Sequence, residues 1–166
     1  MIVAYIDNQN LYMATKTADE PWTIDMKRFR IYLRDKYKVE KAYLFMGAYK
    51  QEMHDMYMRF QEYGYILVWK QHAEVLTGKK KGNVDTDVVF FMMYDTYEDP
   101  DFNGAVLVSG DGDYMRTVDH LRLKGKLAKV LLPSVKNASS LYKSLPESDK
   151  AFLDGKSIRK KIGLRK

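Results

Sequence analysis

A chain of 166 residues that is 46% hydrophobic has room for one domain with a real core, and its lack of cysteine excludes disulfides, zinc fingers and thiolate catalysis. The net charge of +6 excludes little by itself, because Lys156, Arg159, Lys160, Lys161, Arg165 and Lys166 carry the whole excess and leave residues 1–154 neutral. No stretch approaches the roughly 18 apolar residues of a membrane span and the amino terminus has no leader pattern, so a reducing, cytoplasmic setting without a membrane is expected.

Ile2 to Ile6 predicts a buried strand that ends at Asp7-Asn8-Gln9-Asn10. Asn10 to Trp22 is irregular, with Pro21 as punctuation, and a helix starts near Asp25 carrying Met26, Phe29 and Leu33 on one face. Lys41 to Met46 is the second strand, broken at Gly47. Met53, Met56, Tyr57, Phe60 and Tyr63 recur at helical spacing until Gly64, and Tyr65 to Trp69 form a third strand. These methionines and tyrosines read as packing, and an apolar patch on their helix is where a homodimer would meet. Lys79-Lys80-Lys81-Gly82-Asn83 lead into Val84-Asp85-Thr86-Asp87 and an apolar helix from Val88 to Tyr94.

Asp99-Pro100-Asp101 and Asn103-Gly104 turn the chain into a fourth strand that ends at Val106-Leu107-Val108. That strand runs into Ser109-Gly110-Asp111-Gly112-Asp113, where the glycines permit a sharp turn that presents two carboxylates at a strand end. A helix follows from Tyr114, with Met115, Val118 and Leu121 on one side and Gly125 as its stop. Ala128 to Leu132 is a fifth strand stopped by Pro133, Ser139 to Leu145 a short helix, and residues 154–166 a basic, flexible tail. Strands alternating with helices imply an α/β fold with a mainly parallel five-stranded sheet covered on both faces.

Open α/β sheets bind ligands at the carboxyl ends of their strands. With strands one and four as neighbours, Asp7, Asp111 and Asp113 project into one crevice, and Asp85 at a nearby helix start adds a fourth carboxylate. Acids so crowded repel one another unless a cation sits among them. Oxygen ligands without His or Cys favour Mg²⁺ or Mn²⁺, which activate water and stabilise the leaving oxygen in phosphodiester hydrolysis. Asn8, Asn10 and Ser109 suit orienting a carboxylate or a bound water, and each equally suits plain turn chemistry. Asp87 reads as a helix-start acid favoured by the macrodipole. Lys79, Lys80 and Lys81 either hold a nucleic-acid backbone at the mouth of the cleft or form a solvated loop, and Tyr12 and Trp22 offer stacking surfaces. His54, His72 and His120 are too scattered for a ligand set.

Asp7-Asn8-Gln9-Asn10 after the first strand, Lys81-Gly82-Asn83-Val84-Asp85 before a helix and Ser109-Gly110-Asp111-Gly112-Asp113-Tyr114 after a later strand together resemble the NYN domain family, the LabA-like branch of PIN-like nucleases, over about residues 1 to 153. The resemblance implies a three-layer α/β/α PIN-like fold and divalent-metal-dependent ribonuclease activity. It places the metal ligands at Asp7, Asp85, Asp111 and Asp113, with Asn10 lining the site. RNA rather than DNA as substrate rests on the resemblance alone. Tyr114 stands where Phe is more usual, and the tail from Gly155 lies outside the pattern.

Other readings fit less well. A dinucleotide site wants glycines after the first strand, and a P-loop wants spaced glycines before Lys81 with Ser or Thr after it. An aspartyl-phosphate enzyme built on Asp7 wants a second Asp where Gln9 stands, and a calcium loop at Asp111 lacks its closing Glu. The alternative from another class is a catalytically silent RNA-binding or scaffold protein of the same fold, whose mark would be a missing carboxylate. All four carboxylates are present.

Overall fold

The computed structural model describes residues 1–70 and 84–165. Its centre is a sheet of β1 (Ile2–Asp7), β2 (Val39–Met46), β3 (Tyr65–Trp69), β4 (Gly104–Val108), β5 (Leu127–Leu132) and β6 (Lys150–Phe152), in the order β3-β2-β1-β4-β5-β6 with every neighbouring pair parallel. The helices are α1 (Asn8–Lys16), α2 (Met26–Tyr37), α3 (His54–Glu62), α4 (Asp85–Glu98), α5 (Met115–Leu123) and α6 (Lys156–Ile162). Among the described residues no helix is long and apolar enough to cross a membrane.

Both faces of the sheet are covered, which is why its strands read as unbroken apolar runs rather than alternating ones. Along β1, Val3 and Tyr5 pack toward α4 and α5 with Val88, Met92, Val118 and Leu121. Ala4 and Ile6 pack the other way, with Leu11 of α1, Phe29 and Leu33 of α2, Tyr57 of α3 and Ile162 of α6. Helices on opposite faces to either side of β1 are what right-handed parallel crossovers produce. The strand order reverses between β1 and β4, and Ile6 lies in register with Val108, so the two strands deliver Asp7 and the turn at residue 109 side by side.

Local stops behave as the sequence predicts at Gly64 and Gly125, whose φ values of +103° and +70° suit glycine. Four expectations change. Residues 8–16 are helical, because Asp7 caps a helix whose first turn, Asn8-Gln9-Asn10, is wholly polar and hides the pattern. The expected helix near Ser139 is a 3₁₀ turn, Ser140–Ser144. The sheet has six strands rather than five, since β6 has only three residues and opens on a lysine.

The fourth change concerns the basic end, which forms α6 and docks. Ile162 is fully buried, Asp25 N–H donates to the Ile162 carbonyl at 2.8 Å, and Leu164 N–H donates to the Thr23 carbonyl at 2.8 Å. Arg28 donates to the carbonyls of Gly163 and Lys160, and the Arg159 guanidinium lies 4.8 Å from the Trp22 ring centre. One buried isoleucine and several backbone bonds thus hold a segment whose lysines alone suggest a loose tail.

Candidate active site

Asp7 ends β1 and caps α1, so its carboxylate is set by two elements at once. One oxygen accepts from the Asn10 N–H at 3.1 Å and the other from the Tyr114 hydroxyl at 2.9 Å. The side chain is 4% exposed, and no cation pairs with it among the described residues. Burial pushes its pKa up, the charge of Asp111 adds to this, and the bonds from Asn10, Tyr114 and the Gln9 backbone pull the other way; the net direction is upward.

The turn after β4 is fixed from several sides. Asp111 N–H donates to the Ser109 hydroxyl oxygen at 3.1 Å, and Asp113 N–H donates to the Asp111 carboxylate at 2.9 Å. Gly110 N–H donates to the Asn10 side-chain oxygen at 2.8 Å, which ties this turn to the β1–α1 junction. The Tyr142 hydroxyl donates to the Asp111 carbonyl at 2.7 Å. The two glycines serve close approach rather than a positive φ, which occurs among the described glycines only at Gly64 and Gly125. A Cβ at Gly110 would sit 3.3 Å from Ala138 Cα, and one at Gly112 would sit 2.5 Å from Ser139 Oγ.

Asp85, half-buried at the start of α4, completes the group. Carboxylate oxygens of Asp7, Asp85 and Asp111 all lie within 4.8 Å of one another. Asp113 is exposed at the rim, within hydrogen-bonding reach of Asp85. Partial burial first, then Asp111, the bond to Asp113 and the charges of Asp7 and Asp113 push the Asp85 pKa up to about 6.

This donor set suits a divalent cation. Two oxygens on opposite sides of one Mg²⁺ stand ~4.2 Å apart, so small side-chain adjustments bring the three carboxylates onto a single ion. The ligands are hard oxygens only, as Mg²⁺ and Mn²⁺ prefer.

The sign of the pH dependence follows from Asp85. Its folded pKa of about 6 exceeds the ordinary 3.8, so between these values the folded protein holds a proton that the unfolded chain has released. Stability of the metal-free protein therefore falls as pH rises through this window. We expect Tm in EDTA to drop between about pH 4 and pH 6 more in the wild type than in Asp85→Asn. Added Mn²⁺ should raise Tm more above the window than within it, and equal increments would contradict the site.

Not every sequence candidate joins this centre. Asn10 does, as a clamp; Asn8 is half-buried and its side chain makes no hydrogen bond among the described residues; Ser109 holds the Asp111 N–H. Asp87 sits in the first turn of α4 outside the triplet, as a helix-start acid would. Lys79, Lys80, Lys81 and His72 lie outside the described residues. Tyr12 is exposed beneath Lys16, whereas the Trp22 ring is already covered by Arg159 and is not an open stacking surface.

Tyr114 and Tyr142 are site residues that pattern reading takes for packing. A buried tyrosine among apolar neighbours reads like phenylalanine, and the only cue is that Phe is more usual at 114. Tyr114→Phe removes the hydroxyl that lowers the Asp7 pKa. Supporting bonds of this kind are worth about 10–100-fold in metal affinity or activity. We expect a loss in that range, with the acid limb of metal binding by titration calorimetry moved to higher pH.

The NYN domain family model matches residues 2–149. A crystal structure of a protein of unknown function from Vibrio parahaemolyticus is similar at a TM-score of 0.77 and 20% sequence identity, covering 98% of this chain and 95% of that one. At that identity the likeness speaks for the fold. A search of curated proteins finds no match.

Proposed function

The chain belongs to the NYN domain family, and from that membership and its carboxylate triplet we propose that it is a divalent-metal-dependent ribonuclease hydrolysing RNA phosphodiester bonds. The observation that carries this reading is the convergence of Asp7, Asp85 and Asp111 at the point where the strand order reverses. These three residues would hold Mg²⁺ or Mn²⁺, with Asp113 beside Asp85. A bound ion there supplies Lewis-acid polarisation of the phosphate and an acidified water.

The chain's own residues do the rest. Tyr114 and the Asn10 N–H keep Asp7 in one orientation. The Ser109 hydroxyl and the Tyr142 hydroxyl hold the backbone of Asp111, so the centre is preorganised rather than assembled on loading. Asp113, exposed at the rim beside Asp85, is placed to accept a proton from the attacking water. Lys79, Lys80 and Lys81, just ahead of Asp85 in the chain, are assigned to the substrate backbone. RNA as substrate is supported by family membership.

The test is incubation of labelled single-stranded and hairpin RNA with Mg²⁺, with Mn²⁺ and with EDTA. Cleavage with either ion and none in EDTA is expected. RNA that is bound but left intact with both ions would instead support the silent RNA-binding alternative.

A further inference from the structure

Because α6 is docked, the charge excess of this protein is mounted on a fixed surface. Along α2 stand Lys27, Arg28, Arg30, Arg34 and Lys36 against Asp35 alone, and beside it α6 and the residue after Leu164 bring Lys156, Arg159, Lys160, Lys161 and Arg165 with no acid. Between the two helices runs a groove of about 410 Å³ lined by Arg28, Ile31, Tyr32, Asp35, Lys36 and Lys161. It lies in the helical layer across the sheet from α4 and α5, outside the crevice that holds the carboxylates.

Four of the five arginines here already have partners. Arg28 binds two carbonyls of the docked segment, Arg30 reaches the carbonyls of Gly64, Val39 and Glu40, Arg34 pairs with Asp35, and Arg159 covers Trp22. By contrast, Lys36, Lys156, Lys160 and Lys161 are exposed, and none has a carboxylate partner among the described residues. Lys36 lies over the rings of Tyr32 and Tyr37, at 5.8 and 5.9 Å from their centres.

Holding like charges this close on rigid helices raises the free energy of the protein alone, and a polyanion relieves it. We infer that the α2–α6 groove is a second contact surface for the phosphate backbone of RNA, separate from the carboxylate centre. That the polyanion is RNA rests on the function proposed above. A lipid surface fits less well. An interfacial helix needs an apolar face to insert, and α6 packs Ile158 and Ile162 inward against the core. Exposed lysines without carboxylate partners stand in and beside the groove, which suits a phosphate backbone held without base readout.

The role of this surface is to hold the strand while the carboxylates act on it, so its loss should change binding and leave the chemical step alone. The test uses the whole protein in EDTA, titrated into labelled single-stranded RNA at several salt concentrations. The variant Lys36→Gln/Lys160→Gln/Lys161→Gln is compared with Lys124→Gln, which removes an exposed charge at the end of α5. All are surface changes, and matching Tm values verify the fold. At low salt the triple variant should bind at least about tenfold more weakly, with a log–log salt slope shallower by roughly 2, while Lys124→Gln matches the wild type. Where cleavage occurs, KM should rise and kcat stay constant.

Unchanged affinity and slope in the triple variant overturn the inference. So does a wild type that binds phosphatidylserine vesicles through these lysines and does not bind RNA. The two proposals fail separately: lysine-dependent RNA binding without cleavage leaves this surface standing and rejects the nuclease reading. Cleavage with KM untouched by the triple variant does the reverse.

Discussion

Asp111→Asn should lower metal-dependent RNA cleavage by more than about a hundredfold, since even the outer partners of metal ligands are worth 10–100-fold and Asp111 is a direct ligand on this account. The substitution keeps a side-chain oxygen to accept the Asp113 N–H and removes only the charge. It also removes one of the charges that push up the pKa values of Asp7 and Asp85. The metal-free variant should therefore melt no lower than the wild type, while Mn²⁺ raises its Tm much less. Initial rates at saturating Mn²⁺, read beside thermal melts with and without the ion, check both halves. Cleavage that persists in the variant would place the chemistry elsewhere.

Ile162→Ala should destabilise the protein by about 2–5 kcal/mol, the cost of truncating a fully buried aliphatic side chain. A flexible tail would give a change within about 0.5 kcal/mol, as exposed substitutions do. Ile162 packs among Phe29, Leu33 and Leu153, and its carbonyl accepts the Asp25 N–H, so the loss is felt at the start of α2 as well. Urea denaturation followed by circular dichroism measures it, provided that the m-value is unchanged.

Much of the fold was legible because a doubly covered parallel sheet writes itself plainly. Each buried strand is a short apolar run, and each run ends at the edge where ligands bind. Asp7 and Asp111 could be placed at one edge from that logic, and the β1–β4 neighbourhood, assumed from sequence, is observed. Asp85 came from its motif and its position at a helix start.

What escaped notice did so for physical reasons. Tyr114 reaches Asp7 across 107 residues and Tyr142 reaches Asp111 across 31, and no local pattern encodes a hydroxyl's distant partner. The first turn of α1 is wholly polar, with Asn10 reaching the site through Gly110, so it does not look helical. Gly110 and Gly112 read as turn formers, whereas the constraint on them comes from Ala138 and Ser139, which pack on the turn from a later segment. In α6 the lysines face solvent and mask the two isoleucines, buried Ile162 and partly buried Ile158, that anchor the helix.

The central claim, that Asp7, Asp85 and Asp111 form a cage for one divalent ion, is tested most directly by crystals of the protein grown or soaked with Mn²⁺ and measured for anomalous scattering. The account expects a peak bonded to carboxylate oxygens of all three residues, and its disappearance in Asp111→Asn. A Mn²⁺-loaded crystal with the three side chains in place and the peak elsewhere, or no peak at all, would contradict it.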